Sequence, residues 1–364
     1  ERIAQARNLE NFELSQSYLA FWDKFERCNY FLESILETAA LPTTDRTVMH
    51  ILSTGVHDGG QWDMFANIVR KYGVVPKDVY DETYQSSNTR SMNAQLNRAL
   101  KVAAAGLRRM AADKAGADAI QAEKNKTLDA IYGFLCSCYG EPPKVFDFEF
   151  VDKDQVYHIE KNLTPLTFAE RYVGDLLDQV VSVINAPTAD KPYHKTYTIR
   201  LLGNVVEGRP VVHLNLTMDE LKAAIIAQLK AGKVVWFGSD VGHFGERTLG
   251  VWDDRSFDFA ALTGLSLAMD KADALDYGLA AMNHAMVLTG VNLDEAGKPT
   301  RWKIENSWGD KNGEKGYYVC SDSWFDQYVF QAAVEREYLG GLADLAAQEP
   351  IVLEPWDPMG TLAD

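Results

Sequence analysis

Ala281-Met-Asn-His-Ala-Met-Val-Leu-Thr-Gly290 and Lys303-Ile-Glu-Asn-Ser-Trp-Gly-Asp310 are the two stretches of sequence that decide the fold. The apolar runs at residues 285–291 and 301–306 have the length of strands, and the polar loop between them contains Gly297 and a proline. Two such runs joined by such a loop indicate a long hairpin. The second half of the chain is therefore expected to be rich in sheet.

The first half of the chain carries helical patterns. Residues 91–140 contain no proline and few β-branched residues, which favours two long helices with a break near Gly116. The predicted fold class is therefore α+β, with a helical part followed by a sheet-rich part. Apolar side chains near the start of the chain recur at the three- and four-residue steps of an amphipathic helix: Phe12, Leu14, Tyr18, Phe21, Trp22 and Phe25.

Three shorter signals refine this division. Phe146, Phe148 and Phe150 alternate with acidic residues, which is the period of a half-buried strand. Thr164 stands before a proline and predicts a helix start, and Thr217 begins a sequence with capping-box spacing. Helices are therefore also expected within the sheet-rich part.

Composition and charge exclude several classes of protein. The 364 residues are 46% apolar and 24% charged, so neither a disordered nor a collagen-like chain is expected. A formal net charge of −16 repels phosphate backbones and anionic lipids, so we expect no nucleic-acid partner and no membrane partner. The longest uncharged apolar stretch, residues 277–293, is too short and too polar for a membrane span.

The cysteine content and the first residues bear on location. Four cysteines in a chain of this size do not form a disulfide framework and fit a reducing compartment, so the cytoplasm is the expected location. The chain begins with Glu1 inside a helical pattern, and its first residues show no secretory pattern. We expect that its beginning has been clipped.

His284 is the most distinctive candidate for acid–base chemistry, because a titratable ring enters an otherwise uncharged strand. Burial there perturbs a pKa and fixes a rotamer, as a general base requires. Asn306 ends the neighbouring strand, so its amide oxygen can orient one imidazole nitrogen and leave the other for a nucleophile. Trp308 is placed to cover that hydrogen bond. The alternatives are a structural core histidine and a turn that tolerates Asn.

A histidine with a neutral orienting residue suits a thiol nucleophile, since a thiolate–imidazolium pair balances its own charge. None of the four cysteines fits this role. Cys28 lies in a helical pattern, Cys136 and Cys138 end the helical segment, and Cys320 lies within a predicted strand. Each is more simply interpreted as a small buried hydrophobic residue.

Several blocks of sequence resemble the bleomycin hydrolase family, whose bacterial members are called aminopeptidase C. The three blocks around Gly59, His284 and Asn306 are together specific to that family. In chain order from about residue 9 to the end, the blocks are Asn11-Phe-Glu-Leu-Ser-Gln16 with Phe21-Trp-Asp-Lys24, Asp58-Gly-Gly-Gln-Trp-Asp-Met64, Tyr277-Gly278 before His284-Ala-Met-Val-Leu-Thr-Gly290, Glu305-Asn-Ser-Trp-Gly309, and Trp356-Asp-Pro-Met-Gly360.

The resemblance implies a papain-like cysteine peptidase with a helical lobe, a β-barrel lobe and an active cleft between them. The chain then divides into a helical lobe at residues 1–85, a helical insertion at 86–142, a β-rich lobe with further helices at 143–350 and a C-terminal arm at 351–364. The implied activity is the hydrolysis of N-terminal residues from peptides through a Cys-His-Asn relay, in a homo-hexamer. No metal or other cofactor is expected.

The family motifs also assign roles to single residues. His284 corresponds to the catalytic histidine, Asn306 to the residue that orients it, and Trp308 to the aromatic residue that shields their contact. Gly59 and Gly60 match a glycine pair whose backbone binds an extended substrate, which explains why side chains are absent there.

Two further assignments concern the ends of the cleft. Asn283 lies where the backbone of the family lines the primed side. The C-terminal arm of the family occupies the unprimed half, where its terminal carboxylate meets the free amine of the substrate and so makes an aminopeptidase. Here either Ala363 or Asp364 is the working terminus, and an acidic Asp364 adds a second carboxylate.

One departure from the family concerns the nucleophile. The family carries it in a Gln-x-Gly-x-Cys-Trp block, which also supplies the oxyanion-hole glutamine, upstream of the helix that continues into Asn11. This chain is therefore expected to lack the nucleophile and to be inactive alone. The leading hypothesis is an aminopeptidase whose N-terminal segment is truncated, cleaved or unrecorded. A second is a catalytically inactive homologue that forms a peptide-binding or structural hexameric shell, and a third is another Cys-His-Asn chemistry such as acyl transfer.

Overall fold

The computed structural model describes residues 2–363, so Asp364, one of the candidate site residues, lies outside the described residues. Contacts divide the chain into two units. The first runs to Leu177 and includes Leu201–Pro210, and the second contains Asp178–Arg200 and the chain from Val211 onward. Residues 143–177, which the sequence analysis grouped with the β-rich lobe, cluster with the first unit. The predicted α+β class is confirmed.

The first unit consists mainly of helices. Its two strands, β1 (Phe146–Val151) and β2 (Tyr157–Leu163), pair as a small antiparallel sheet. The helices are α1 (Arg2–Ala6), α2 (Gln16–Glu37), α3 (Arg46–Thr54), α4 (Trp62–Tyr72), α5 (Tyr84–Ser87), α6 (Arg90–Ala112), α7 (Ala117–Tyr139) and α8 (Pro165–Tyr172), with a 3₁₀ turn at Lys77–Val79. Helix α9 (Leu176–Gln179) lies at the boundary of the two units.

Helix α2 confirms the predicted amphipathic helix but begins later than its pattern suggests. The side chain of Ser15 caps it by accepting from the backbone N–H three residues on. Phe21, on the apolar face, is fully buried in the core of the unit. Phe12 and Leu14 precede the cap, and Leu14 forms an isolated β-bridge with Pro76. The apolar spacing therefore extends beyond the helix because the preceding loop also packs on the core.

Helices α6 and α7 confirm the predicted helical pair. The break falls at residues 113–116, and Gly116 is the N-cap residue of α7. Leu100 and Leu107 of α6 and Leu135 of α7 are fully buried, so each helix directs one apolar stripe into the core. Among the described residues, no helix combines the length and the apolar character needed to cross a membrane.

The second unit is built on one large sheet. The predicted capping box at Thr217 is present at the start of its main helix, as is the cap at Thr164 in the first unit. The strands are β3 (Val180–Ile184), β4 (Thr196–Ile199), β5 (His213–Asn215), β6 (Val235–Ser239), β7 (Gly245–Glu246), β8 (Val251–Trp252), β9 (His284–Leu293), β10 (Pro299–Glu305), β11 (Tyr317–Ser321), β12 (Val329–Glu335) and β13 (Ile351–Leu353). The helices are α10 (Met218–Lys230), α11 (Phe259–Thr263), α12 (Lys271–Asp276), α13 (Asp322–Tyr328) and α14 (Arg336–Leu339), with 3₁₀ segments at Gly340–Ala347 and Pro358–Ala363.

The expected β-barrel is wrong for the described residues. The eleven strands follow the order β13-β4-β5-β3-β12-β6-β9-β10-β11-β8-β7, and the sheet stays open. Its edge strands, β13 and β7, have three and two residues and each pairs with a single neighbour. Closing a barrel requires two edge strands with matching register, whereas short edges like these end the pairing.

Strands β9 and β10 form the predicted hairpin. They pair antiparallel, and Glu305 near the end of β10 lies opposite Val287 near the start of β9. Trp302 of β10 is fully buried and stacks on Phe325 of α13, with ring centroids 4.3 Å apart. This packing fixes which face of the hairpin points into the core, and so fixes the register of the residues at its open end.

A row of buried polar side chains crosses the centre of the sheet. Nδ1 of His213 lies 2.8 Å from Oγ of Ser182, which also accepts from Nε2 of Gln331 at 2.8 Å. All three side chains are buried, and burial lowers the pKa of His213 to about 4. His213 is therefore neutral in the folded protein at pH values where an unfolded histidine is protonated.

Replacing His213 is expected to change how stability depends on pH. Between pH 6.5 and pH 4 the unfolded chain binds a proton at this residue and the folded chain does not, so stability is full above pH 6.5 and falls as the pH is lowered. His213→Asn should remove about 1.4 kcal/mol per pH unit from the slope of the unfolding free energy in this range. Urea unfolding at several pH values measures the slope, with the half-buried His57→Asn as control. If the unfolding free energy of His213→Asn depends on pH with the same slope as that of the unmodified protein, the lowered pKa of His213 is contradicted.

Candidate active site

The open end of the β9–β10 hairpin brings two of the predicted site residues together. His284 is the first residue of β9, and Asn306 directly follows β10. Glu305 pairs with Val287, so the antiparallel pairing brings Asn306 close to the start of β9. Nε2 of His284 is 2.8 Å from Oδ1 of Asn306. The structure therefore places these two residues in contact, as the sequence suggested.

The hydrogen bonds of Asn306 define the protonation of the imidazole. Its Oδ1 also accepts from the backbone N–H of Ser307 at 2.8 Å, which orients the amide with the oxygen toward the ring. An amide oxygen only accepts, so the proton of neutral His284 resides on Nε2. The lone pair on Nδ1 is then available to take a proton from a nucleophile, as a general base must.

Trp308 covers this pair. Its ring stacks on the imidazole of His284 with centroids 4.8 Å apart and planes 27° apart. Trp308 itself lies under the guanidinium of Arg247, 4.6 Å from the ring centroid, and meets the edge of Tyr318. Asn306 is only 9% exposed as a result. The shield keeps water from competing for the histidine–asparagine hydrogen bond.

Burial lowers the pKa of His284, and the hydrogen bond to Asn306 opposes this shift only in part. The imidazole of His284 is therefore uncharged at pH 7. A neutral ring with a free Nδ1 lone pair is the form that accepts a proton.

Asn283, the residue before the histidine, has its polar groups engaged within the unit. Its Nδ2 donates to Oδ1 of Asp240 at 2.7 Å, its Oδ1 accepts from the N–H of Val241 at 3.0 Å, and its backbone N–H donates to the carbonyl of Ser239 at 3.0 Å. The sequence indicated a place for the Asn283 backbone in substrate binding, which stays a prediction. It gave no sign of this side-chain network.

Gly59 and Gly60 lie in the first unit, between α3 and α4. The guanidinium of Arg27 donates to the carbonyl of Gly59. A Cβ on Gly60 would lie 3.0 Å from that guanidinium, so the absent side chain leaves room for Arg27. Their predicted role in binding the substrate backbone stays a prediction.

The C-terminal segment is anchored within the second unit. Strand β13 pairs in parallel with β4, and a buried ion pair of 2.9 Å joins Asp357 to Lys191. Leu362 is 4% exposed, and its Cδ2 lies 3.0 Å from the position a Cβ would take on Gly238. Gly238 belongs to β6, the strand that pairs with the start of β9 at His284.

The family model described as the peptidase C1-like family matches residues 1–360. The chain belongs to this family. The predicted resemblance is therefore confirmed.

Individual relatives from this family agree. The chain is 52% identical over 357 residues to aminopeptidase C of Streptococcus thermophilus, covering 98% of this chain and 80% of that protein. It is 40% identical over 365 residues to human bleomycin hydrolase, covering 98% and 80%. It also matches the crystal structure of PepW from Lactobacillus rhamnosis HN001 with a TM-score of 0.95 and 51% identity, covering 98% and 81%. The fold of this chain is therefore papain-like.

The cysteines of this family member behave as structural residues. All four are free thiols, and three of them are buried. Burial raises the pKa of Cys28 to about 12 and also raises the pKa of Cys138 and Cys320, which suppresses the thiolate form. Cys136 is half-buried on α7 in the first unit. Among residues 2–363, no group of three or more His, Cys, Asp or Glu side chains is arranged to hold a metal ion.

The shield over His284 should control the pKa of its imidazole. Trp308→Ala admits water to the ring, so the depressed pKa of His284 is expected to rise toward 6.5. NMR titration of selectively labelled histidine measures this pKa directly. A His284 pKa that does not move in Trp308→Ala would show that burial by this ring is not its cause.

Proposed function

We propose that this protein is a cysteine aminopeptidase that removes N-terminal residues from peptides. The observation that carries the proposal is the hydrogen bond between Nε2 of His284 and Oδ1 of Asn306 beneath Trp308, in a member of a peptidase family. The names of relatives in bacteria and in humans, aminopeptidase C and bleomycin hydrolase, support the same class of reaction.

In the proposed mechanism, Nδ1 of His284 takes the proton from a cysteine thiol. The thiolate attacks the carbonyl carbon of the first peptide bond, and the imidazolium passes its proton to the leaving nitrogen as the C–N bond breaks. Water then hydrolyses the thioester, with its proton going to Nδ1 of the same ring. Asn306 accepts from Nε2–H throughout, so the ring keeps one orientation while its Nδ1 gains and loses a proton.

The nucleophile in this proposal is a cysteine carried by a Gln-x-Gly-x-Cys-Trp block that precedes Glu1. Two observations support a nucleophile outside residues 1–364. The thiols of Cys28, Cys138 and Cys320 have raised pKa values. The chain spans about 80% of the length of the relatives it matches. The same block would supply the glutamine that stabilises the oxyanion.

The activity test uses the full-length protein and short peptides with a free N-terminus. We expect release of the first residue, inactivation by iodoacetamide, and a loss of kcat of about 10²–10⁴-fold in His284→Ala, because the general base is removed. Release of single residues is followed by mass spectrometry. The control is His158→Ala, which removes a half-exposed histidine from β2 in the first unit. Activity that survives both alkylation and His284→Ala would exclude the relay.

The C-terminal arm is proposed to restrict the enzyme to free N-termini. Leu362 packs against the site of Gly238 on the strand beside His284, which supports a position for the chain end close to the histidine. A carboxylate there, from Ala363 or from Asp364, would pair with the substrate ammonium and block longer chains.

Removing the arm tests that role. Deletion of residues 356–364 should allow cleavage inside peptides whose N-terminus is acetylated, because both the blocking segment and the carboxylate are lost. Deletion of Asp364 alone is the matched control, since it keeps the anchored residues up to Ala363. Cleavage sites are mapped by mass spectrometry. An unchanged requirement for a free amine in the longer deletion would refute the role of the arm.

The alternative is a catalytically inactive homologue that serves as a peptide-binding or structural shell. The residues encoded upstream of Glu1 distinguish the two. A Cys-Trp pair about a dozen residues before Glu1 favours the peptidase, whereas Ser or Ala in place of that Cys favours the shell. The homo-hexamer and the cytoplasmic location remain predictions that rest on the resemblance and on the cysteine content.

A further inference from the structure

A buried carboxylate follows directly after strand β6. Asp240 is 4% exposed, and the residue before it, Ser239, lies opposite His284 in the sheet. A buried charge is strongly destabilising unless its acceptor sites are filled. The proposed mechanism gives this carboxylate no step, so its burial beside the histidine strand requires another reason.

Four donors fill the acceptor sites of Asp240. Oδ1 accepts from the backbone N–H of Gly242 at 2.9 Å and from Nδ2 of Asn283 at 2.7 Å. Oδ2 accepts from the backbone N–H of Ala281 at 3.0 Å and lies 3.3 Å from Nε2 of His243. Two of these donors, at residues 281 and 283, belong to the segment that leads into His284.

Asn283 also forms hydrogen bonds with the backbone of the two residues that flank Asp240. Its Oδ1 accepts from the N–H of Val241 at 3.0 Å, and its own backbone N–H donates to the carbonyl of Ser239. Residues 281–283 are therefore held to residues 239–241 by four hydrogen bonds, two of which end on Asp240. The direction in which the chain enters β9 sets the direction of the His284 side chain.

His243 completes the network and keeps Asp240 ionised. Its ring stacks on Tyr328 with centroids 4.8 Å apart, and its Nε2 lies 3.2 Å from the carbonyl of Leu279. Burial acts to raise the pKa of Asp240, but the hydrogen bonds from His243 and from the two backbone N–H groups hold it below the usual range. The hydrogen bond to Asp240 in turn raises the pKa of His243.

We propose that Asp240 is a positioning residue for His284: its carboxylate holds Ala281 and Asn283, and through them aims the imidazole at the nucleophile and the leaving nitrogen. The inference rests on the proposed function for its kinetic consequence. A carboxylate is required because it alone offers acceptors to all four donors. An asparagine at this position would turn an NH2 group toward two of them.

The first variant is Asp240→Asn in the full-length protein. Misdirection of the general base should lower kcat for release of the N-terminal residue by up to about 10²-fold. KM should stay within about threefold, because the hydrogen bond from the backbone N–H of Asn283 to Ser239 still holds the backbone that is predicted to bind substrate. The matched control is Asp254→Asn, which removes a carboxylate that accepts from Ser321 and Ser323 elsewhere in the same unit. The control should leave both constants unchanged.

A donor–acceptor exchange separates positioning from folding. Asn283→Asp alone sets two carboxylates against each other and should lose more activity than Asp240→Asn. The double variant Asp240→Asn with Asn283→Asp restores an amide–carboxylate pair between the two positions. Its kcat should be higher than that of Asn283→Asp alone. No recovery in a double variant whose thermal midpoint matches that of Asp240→Asn would overturn the proposal, as would an unchanged kcat in Asp240→Asn.

The imidazole resonances of His284 provide a readout that does not depend on activity. In Asp240→Asn the imidazole should change its orientation and strain its hydrogen bond to Asn306, which should shift the NMR signal of Nε2–H. The control Asp254→Asn should show no shift. If the unmodified protein releases no N-terminal residues, the proposed function fails, yet this signal still tests the positioning. An unshifted His284 signal in Asp240→Asn would overturn the inference on its own.

Discussion

The hydrogen bond from Nε2 of His284 to Oδ1 of Asn306 is the constraint on which the site depends. It needs two residues 22 positions apart to meet with a fixed ring orientation, and the β9–β10 hairpin provides this because its register is fixed by buried side chains such as Trp302. Trp308 then removes water from the contact, which strengthens the bond and lowers the pKa of the ring. The chemistry of the site is thus a consequence of strand pairing.

Much of this arrangement could be predicted from the sequence because it is local. The hairpin follows from two apolar runs and a polar loop, and the helical pair α6–α7 follows from residues 91–140. The apolar pattern that predicted α2 starts at Phe12, four residues before the helix begins at Gln16. Phe12 and Leu14 repeat the helical spacing, yet they pack from a loop because the Ser15 cap begins the helix after them. Periodicity reports burial, and it cannot report on which side of a cap a buried residue lies.

The features that were missed are non-local. The β-barrel was expected from the resemblance, but the sheet stays open because its edge strands, β7 and β13, each pair with one neighbour and not with each other. Asp240 was also missed, since two of its four donors are backbone N–H groups, which every non-proline residue carries and no sequence pattern reveals. The available signal was an acidic residue directly after a buried strand, where an unpaired charge would be costly.

The anchoring of the C-terminal segment affects how well a carboxylate free in solution can compete with a group at the end of that segment. Strand β13, the Asp357–Lys191 ion pair and the buried Leu362 tie this segment to the unit that carries His284. Any group at the end of a segment tethered in this way meets its site as an intramolecular partner, with an effective concentration in the millimolar range or above. If the arm has its proposed role, a free carboxylate at micromolar concentration would not displace the tethered one. Occupancy of that site would then be insensitive to dilution and would change only when the C-terminal segment is released.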